Sequence, residues 1–145
     1  MKSIRDILRE KGPAAWSISP EATVFKALEL MAEKNIGALL VIDKGSLVGI
    51  LSERDYARKV ILKGKMSRTT RVRDIMTASV LVVSPEQSVE ECMALMTGKH
   101  VRHLPVLEHG KLIGMISIGD VVKAVIADKN FTIEQLTNFI TGKAG

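Results

Sequence analysis

The chain repeats itself, and this repetition restricts its possible folds more than any other feature of the sequence. Ser19-Pro20-Glu21 recurs 65 residues later as Ser84-Pro85-Glu86. The same shift superimposes further identical residues: Val24 on Val89, Leu30-Met31 on Leu95-Met96, Lys34 on Lys99, Leu39 on Leu104, Val41 on Val106, Gly45 on Gly110, Leu47 on Leu112, Gly49 on Gly114, Ser52 on Ser117 and Asp55 on Asp120. Arg5-Asp6-Ile7 matches Arg73-Asp74-Ile75 at a shift of 68. So many identities at one spacing indicate two copies of one structural unit.

Each copy predicts the element order β-α-β-β-α. A short extended segment (16–18; 80–83) precedes Ser-Pro-Glu, which we expect to open a helix because Ser caps helices, Pro suits their first position and Glu complements their dipole. An apolar stripe at helical spacing follows in both copies. Apolar runs at 38–42 and 47–51, with their mates at 104–107 and 112–116, predict hairpins. The last helices are expected at 55–62 and 120–127, and a tail helix at 131–141, capped by Thr132 with Gln135.

One three-stranded copy has too little core to be stable alone, so we expect the copies to pack sheet against sheet. The 46% of hydrophobic residues in the chain suffices for such a core. The predicted fold class is therefore α+β, with repeats at 4–62 and 72–128, a basic linker at 63–71 and a helical tail at 129–145. The net charge of +5 suits a phosphate-bearing ligand, although the basic run after residue 62 also reads as a solvated linker.

Several classes of protein are disfavoured by what the sequence lacks. No apolar run approaches the roughly 20 residues of a membrane helix, and the charged N-terminus has no apolar signal core, so a cytoplasmic protein is expected. The single cysteine, Cys92, cannot form an internal disulfide. His100 and His109 occupy turn-like positions and are expected at the surface. No metal site and no catalytic residues are predicted.

Residues 99–106 read Lys-His-Val-Arg-His-Leu-Pro-Val, and residues 110–122 read Gly-Lys-Leu-Ile-Gly-Met-Ile-Ser-Ile-Gly-Asp-Val-Val. With these motifs the second copy resembles a CBS repeat, and residues 35–57 resemble a more divergent one. Together, residues 4–128 resemble a CBS pair, or Bateman module, of the stand-alone bacterial type. The resemblance implies pseudo-two-fold symmetry, a homodimer of pairs and a regulatory role. It also implies an adenosine-bearing ligand (AMP, ADP, ATP, NAD or NADH, or S-adenosylmethionine) in the cleft between the repeats.

The pattern Gly-x-x-Ser-x-x-Asp occurs in both copies, and the resemblance makes its Ser and Asp nucleotide-binding residues. A carboxylate held at a helix start can accept hydrogen bonds from ribose hydroxyls, and Ser can face an anion. The same pattern is also a capping-box variant, so a purely structural role stays open. The residue immediately before the Asp differs between the copies. In the first copy it is an arginine, whose guanidinium can bind phosphate, and in the second it is a glycine, which lets a ligand approach the backbone closely. The candidates are Ser52, Arg54 and Asp55, and Ser117, Gly119 and Asp120.

Arg102 and His103 enter a strand of the second copy, where the resemblance places phosphate contacts. His103 is also open to interpretation as a core histidine. The resemblance further places the adenine in an apolar slot formed by the first strand of one copy and the hairpin of the other. Its candidates are Trp16, Ile18, Ile36 and Ala38 in the first copy, and Leu81, Val83, Val101 and Pro105 in the second. A plain core role is equally open for all eight.

Three other functions are alternatives to the nucleotide sensor, whose regulated partner the sequence does not name. The divergence of the first copy supports an interaction or dimerisation scaffold with vestigial pockets and no ligand. An enzyme is disfavoured because no Gly-rich phosphate loop, paired carboxylates with a base, or Cys/His nucleophile arrangement is present. Nucleic-acid binding is disfavoured because no aromatic residues are interleaved with the basic run.

Overall fold

The computed structural model describes residues 2–12, 15–128 and 132–141. It contains helices and two hairpins in an α+β arrangement, as predicted. The helices are α1 Ile4–Lys11, α2 Val24–Lys34, α3 Glu53–Tyr56, α4 Val72–Ile75, α5 Val89–Lys99, α6 Ile118–Ala127 and α7 Ile133–Ile140. The strands are β1 Ser17–Ile18, β2 Ala38–Asp43, β3 Ser46–Ser52, β4 His103–Glu108 and β5 Lys111–Ser117, and a π-helical segment, Ala57–Ile61, continues α3.

The chain divides into two compact units that do not coincide with the sequence repeats. The first unit is Ala15–Val80, and the second unit joins Leu81–Gly145 to the N-terminal segment Met1–Ala14. Helix α1, which begins the first repeat in sequence, therefore packs within the second unit. Its counterpart α4, which begins the second repeat, packs within the first unit.

The first unit is built on a three-stranded sheet in the order β1-β2-β3, with β1 parallel and β3 antiparallel to β2. Its core consists of aliphatic side chains from α2, the hairpin and α4, among them Leu39, Leu51 and Ile75. In the second unit β4 and β5 form an antiparallel hairpin, and the predicted first strand is reduced to one parallel bridge between Val83 and Val106. The core of that unit joins α1, α5, α6 and α7 to the hairpin.

The expectation that Ser-Pro-Glu opens each long helix is wrong. Helix α2 begins at Val24 with Thr23 as its N-cap, and α5 begins at Val89 with Ser88 as its N-cap. In the first repeat the Ser-Pro-Glu segment forms a turn, in which the Ala22 amide donates to the Ser19 carbonyl at 3.2 Å. The turn occurs because a second good cap follows four residues later, immediately before the apolar stripe.

The two turns have a shared structural role, which explains why the motif is repeated. The Pro20 and Ala22 carbonyls accept the first amides of α4, from Arg73 at 3.0 Å and Val72 at 2.9 Å. In the second unit the Pro85 and Gln87 carbonyls accept the corresponding amides of α1, each at 2.9 Å. The first amides of a helix have no partner within it, so each turn satisfies donors that would otherwise be unpaired.

The basic segment 63–71, predicted to be a linker, hydrogen-bonds within the first unit. The Val24 amide donates to the Thr70 carbonyl at 2.8 Å, and the Phe25 amide donates to the Ser67 carbonyl at 3.0 Å. The guanidinium of Arg68 stacks on the ring of Phe25, 3.8 Å from its centroid. The domain boundaries drawn from the sequence remain a prediction.

The tail helix forms where the sequence places it. Helix α7 begins after Thr132, whose hydroxyl accepts from the Gln135 amide while the Gln135 side chain accepts from the Thr132 amide. Its inner side carries Phe139, which is buried in the core of the second unit. Phe131, the first residue of the predicted tail helix, lies outside the described residues.

Candidate functional site

The Ser and Asp of each Gly-x-x-Ser-x-x-Asp pattern form a capping box. At the start of α6 the Ser117 amide donates to Asp120 Oδ2 at 2.8 Å, and the Asp120 amide donates to Ser117 Oγ at 3.2 Å. At the start of α3 the corresponding distances between Ser52 and Asp55 are 2.9 and 3.2 Å. The pattern therefore forms the capping box that its structural interpretation predicts. This capping box holds each carboxylate in one rigid position.

The glycines of the same pattern are required by packing. A Cβ on Gly114 would lie 2.7 Å from Leu8 Cδ2, and one on Gly49 would lie 2.7 Å from Met76 Sδ. Each glycine thus admits an apolar side chain, Leu8 of α1 at Gly114 and Met76, directly after α4, at Gly49. Gly119 differs, because a Cβ there would meet only Ser117 Oγ, at 3.6 Å. Nothing in the folded chain explains why position 119 has no side chain.

Strand pairing brings Arg102 and His103 to the start of α6. His103 lies opposite Ser117 in the β4–β5 register, and the Ile118 amide donates to the Arg102 carbonyl at 2.9 Å. Arg102 is exposed and His103 is partly buried. Burial lowers the pKa of His103, the positive charges of Lys11 and Arg102 lower it further, and Asp120 opposes them. The imidazole is therefore neutral at pH 7.

A lysine from α1 completes this group. Lys11 Nζ donates to Asp120 Oδ2 and to the Met115 carbonyl, both at 2.7 Å. Burial alone would raise the pKa of Asp120, but hydrogen bonds from Lys11 and the Ser117 amide outweigh it and lower the pKa. The start of α6 in the second unit thus gathers an ionised carboxylate, two cations and a neutral imidazole.

The start of α3 in the first unit has a different set of neighbours. Lys59 Nζ lies 3.0 Å from Asp55 Oδ1 and donates to the Ile75 carbonyl at 2.9 Å. The Thr77 hydroxyl donates to Asp55 Oδ1 at 3.4 Å. Arg54 is exposed beside this group. At the strand positions where the second repeat has Arg102 and His103, the first has Gly37 and Ala38.

The eight adenine-slot candidates divide evenly between the units and differ in exposure. Trp16 is 40% exposed, with Lys34 Nζ 4.2 Å from the centroid of its ring. Val83 and Ala38 are almost completely buried, and the Val83 amide donates to the Pro105 carbonyl at 3.0 Å. Pro105 is also buried, whereas four candidates are partly buried: Ile18, Ile36, Leu81 and Val101. Burial of this degree favours a core role for Val83 and Ala38.

Sequence reasoning missed Lys11, Lys59 and Thr77. Lys11 is 109 residues from Asp120, and neither lysine has a lysine counterpart in the other repeat. One signal was available for Lys59, since it follows Asp55 by four residues, the spacing of a helical ion pair. No comparable signal exists for Lys11.

The described parts of the chain lack the features of two other kinds of site. No group of three or more His, Cys, Asp or Glu side chains there is placed to hold a metal ion. No helix among those residues has the length and apolar character needed to cross a membrane. His100 and His109 both adopt left-handed backbone conformations at exposed turns, with φ of 55° and 52°, as their turn-like positions predict.

Two α+β repeats, each with a rigid carboxylate at the start of its last helix and cations beside it, define a tandem-repeat module with the features of a binding protein. Comparison with known proteins gives the family. The family model described as CBS domain matches residues 4–62 and 72–127. The chain belongs to the CBS-domain family and carries two repeats.

Similar proteins cover nearly the whole chain. It is 40% identical over 150 residues to the mitochondrial CBS domain-containing protein CBSX3 of Arabidopsis thaliana, covering 97% of this chain and 72% of that one. A solved structure of a CBS-domain protein from Burkholderia ambifaria is 54% identical, with a TM-score of 0.85, covering 91% of this chain and 99% of the other. A structure of CBSX2 in complex with AMP is 31% identical, with a TM-score of 0.71, covering 88% and 98%.

Proposed function

We propose that this protein is a regulatory module that binds an adenine nucleotide (AMP, ATP, or NAD or NADH) at the rigid carboxylates of its two repeats. The observation that carries the proposal is the group of charges around Asp120. Lys11 is paired with Asp120, and the positive charge of Arg102 acts on the neighbouring His103, so a second anion would find a cation available there. A nucleotide supplies that anion as phosphate and a ribose diol for the carboxylate.

The residues around Asp120 offer suitable partners for both the ribose and the phosphate of a nucleotide. Asp120 is ionised and oriented by the Ser117 amide, so its oxygens can accept ribose hydroxyls. Arg102 presents a guanidinium, which binds phosphate oxygens in a bidentate manner, and neutral His103 can donate one further hydrogen bond. The unexplained space at Gly119 allows a ligand to approach the backbone at the start of α6, where the helix dipole favours an anion. The AMP complex of the related CBSX2 supports the same ligand class.

Calorimetric titration of nucleotide-free protein with AMP, ATP, NAD and NADH tests the proposal. We expect at least one of them to bind with a Kd below about 1 mM, and to raise the melting temperature as binding to the folded state must. Absence of binding by all four would refute the nucleotide function. Mass spectrometry of small molecules that copurify with the protein identifies the ligand.

A matched pair of glycine variants locates the site. Gly119→Leu fills the space at the start of α6, and Gly98→Leu adds the same side chain on exposed α5, where a Cβ meets nothing within 4 Å. Both variants should fold, since neither Cβ meets an obstacle. We expect the first to weaken binding at least tenfold and the second to leave it unchanged. Equal affinities in the two variants would exclude the start of α6 as the site.

The number of bound nucleotides per chain distinguishes one pocket in each repeat from a single bound ligand. A stoichiometry of two per chain, with Asp55→Asn and Asp120→Asn each removing one, supports two related but unequal pockets. A stoichiometry of one, abolished by either substitution, supports a single ligand shared by the repeats. Asn preserves the cap because it still accepts hydrogen bonds from backbone amides.

A second candidate function is an interaction or dimerisation scaffold without a ligand. It is favoured by the fact that packing and capping already explain the Gly, Ser and Asp of both patterns. Three isoleucines of α6 and α7 are also largely exposed: Ile126, Ile133 and Ile140. Light scattering coupled to size exclusion measures the assembly, which we expect to be a homodimer. A dimer that no nucleotide stabilises or alters, in a protein that binds none, would favour the scaffold.

A further inference from the structure

The ammonium of Lys11 occupies the carboxylate that the proposed nucleotide needs. Lys11 is the last residue of α1, and Gly12, with φ of 89°, ends the helix directly after it. Its Nζ shares Asp120 Oδ2 with the Ser117 amide and is further held by the Met115 carbonyl. The pair is only partly exposed, with 28% of the lysine side chain and 20% of the aspartate side chain accessible. This contact is therefore a defined part of the folded chain and not a solvated surface pair.

Lys11 has no lysine at the equivalent position of the other repeat. Counting from α1 to α4, the residue equivalent to Lys11 is Ser79. In the first unit the ammonium beside Asp55 comes instead from Lys59, within the helical segment that follows the aspartate itself. The position equivalent to Lys59 in the second repeat is Ala124, which is buried. Each repeat thus supplies a lysine to its carboxylate from a different element, as expected if the ammonium serves the carboxylate and not the packing of one element.

Two kinds of ligand meet this ion pair differently. A nucleoside offers only hydroxyls, so it has to share or displace an ammonium that is already bound to Asp120, and it gives that ammonium no new anion. A nucleotide offers a phosphate, to which the long and flexible lysine side chain can turn once the ribose takes its place on the carboxylate. The same charges that oppose binding of the first ligand therefore favour binding of the second.

We propose that Lys11 is a specificity-determining residue of the second-repeat site, which selects phosphorylated nucleotides over nucleosides by exchanging Asp120 for a phosphate. The inference rests on the proposed nucleotide function and adds to it the discrimination between ligands. Arg102, whose positive charge acts on the neighbouring His103, would supply a second cation for the phosphate.

The test compares AMP with adenosine in Lys11→Met, Lys11→Arg and Lys99→Met. Lys99 is the matched control, since it is also the last residue of a helix in the same unit and is exposed. Binding at the second repeat is followed through the amide signal of Gly119 in two-dimensional NMR, and affinities are measured by calorimetry. Loss of a charge-assisted hydrogen bond should weaken AMP binding by about ten- to a hundredfold.

In Lys11→Met we expect AMP affinity to fall by that factor while adenosine affinity stays equal or rises, because Asp120 is no longer occupied. Lys11→Arg should restore most of the preference for AMP, and Lys99→Met should leave it as in the wild-type protein. If the wild-type site binds AMP but Lys11→Met keeps the AMP-to-adenosine ratio within twofold, the inference is wrong and the proposed function stands. If the wild-type protein binds no nucleotide, the proposed function itself fails.

A measurement on the wild-type chain covers the case in which Lys11→Met does not fold. Reductive methylation with a ¹³C label gives each lysine an NMR signal, and Lys11→Arg assigns the signal of Lys11 by its disappearance. AMP should shift that signal away from its ion-paired position, and adenosine should shift it less. An unchanged signal at saturating AMP would overturn the exchange.

Discussion

Gly49 and Gly114 occupy equivalent positions in the two repeats, so alanine substitutions there allow the cost in unfolding free energy to be compared between the repeats. In Gly49→Ala the new Cβ would lie 2.7 Å from Met76 Sδ, 3.0 Å from Met76 Cγ and 3.0 Å from the Thr77 carbonyl oxygen. The Thr77 backbone is fixed, because it exchanges hydrogen bonds of 2.9 and 3.0 Å with Ile50. Ordinary contacts are 3.5–4.0 Å, so backbone as well as side chain has to shift by several tenths of an ångström.

The corresponding alanine in the second repeat meets a softer obstacle. In Gly114→Ala the Cβ lies 2.7 Å from Leu8 Cδ2, but the next two contacts are 3.5 and 3.7 Å. A change in χ2 of Leu8, which moves Cδ2, relieves that overlap at a cost of about 0.5–1.5 kcal/mol. Overpacking against fixed groups costs about 1–3 kcal/mol, and replacing glycine by alanine returns about 0.4–1 kcal/mol through the unfolded chain. From the middle of these ranges we therefore expect Gly49→Ala to destabilise by about 1.3 kcal/mol (range about 0–2.6) and Gly114→Ala by about 0.3 kcal/mol (range about −0.5 to 1.1).

Urea unfolding measures both values. If the dependence of the unfolding free energy on urea concentration has the same slope in each variant as in the wild-type protein, the unfolded state is unchanged. Trp16 is the only tryptophan and lies in the first unit, so its fluorescence follows the unit that contains Gly49, while circular dichroism follows the whole chain. Gly49→Ala should lower the fluorescence midpoint more than Gly114→Ala does. The reasoning is refuted if Gly114→Ala is the more destabilising variant, or if Gly49→Ala has no effect.

Three further predictions concern acid stability, thiol reactivity and the tail helix. Asp6 and Asp120 have lowered pKa values in the folded chain, the first through the Ser3 amide and the second through Lys11 and Ser117 against burial. The unfolded chain therefore binds protons first, so this stabilisation is present above the ordinary carboxyl pKa of about 4 and is lost as the pH falls. The urea midpoint should decrease below that pH, and Asp120→Asn should flatten the decrease; a midpoint constant down to pH 2 would contradict this. Burial raises the pKa of Cys92 to about 12, so an aromatic disulfide reagent at pH 8 should label it only in urea, and rapid labelling of the native chain would show that the thiol is accessible. Thr132→Ala removes the cap of α7 and should cost about 1 kcal/mol in local stability, seen as faster hydrogen exchange in α7; equal exchange in wild type and variant would show that the cap is not needed.

The local elements could be predicted because their signals lie within a few residues of one another. The hairpins, the helical stripes and the Thr132 cap all follow from periodicity and from short-range hydrogen bonds. The misplaced start of α2 has the same origin, because Ser19 and Thr23 are both acceptable caps and only packing selects between them. The turn at Pro20 is favoured by its carbonyls, which accept the amides of α4, a contact that spans some fifty residues.

The candidate site likewise combines residues that local sequence patterns identify with one residue that they do not. The sequence alone predicts that Ser pairs with Asp at each helix start. It also shows that Arg54 lies in the first repeat whereas Arg102 and His103 lie in the second. Lys11 could not be found in that way, since its distance from Asp120 along the chain carries no periodic signal.

By itself, the sequence determined the repeat, the α+β class and the rigid carboxylate at the start of each final helix, because these depend on local patterns and on identical residues at one spacing. Only the tertiary structure decided that α1 joins the second unit and that its last lysine reaches Asp120. The physical reason is that a chain folds to satisfy exposed amides and apolar faces wherever partners exist, and the partners of α1 lie in the other repeat.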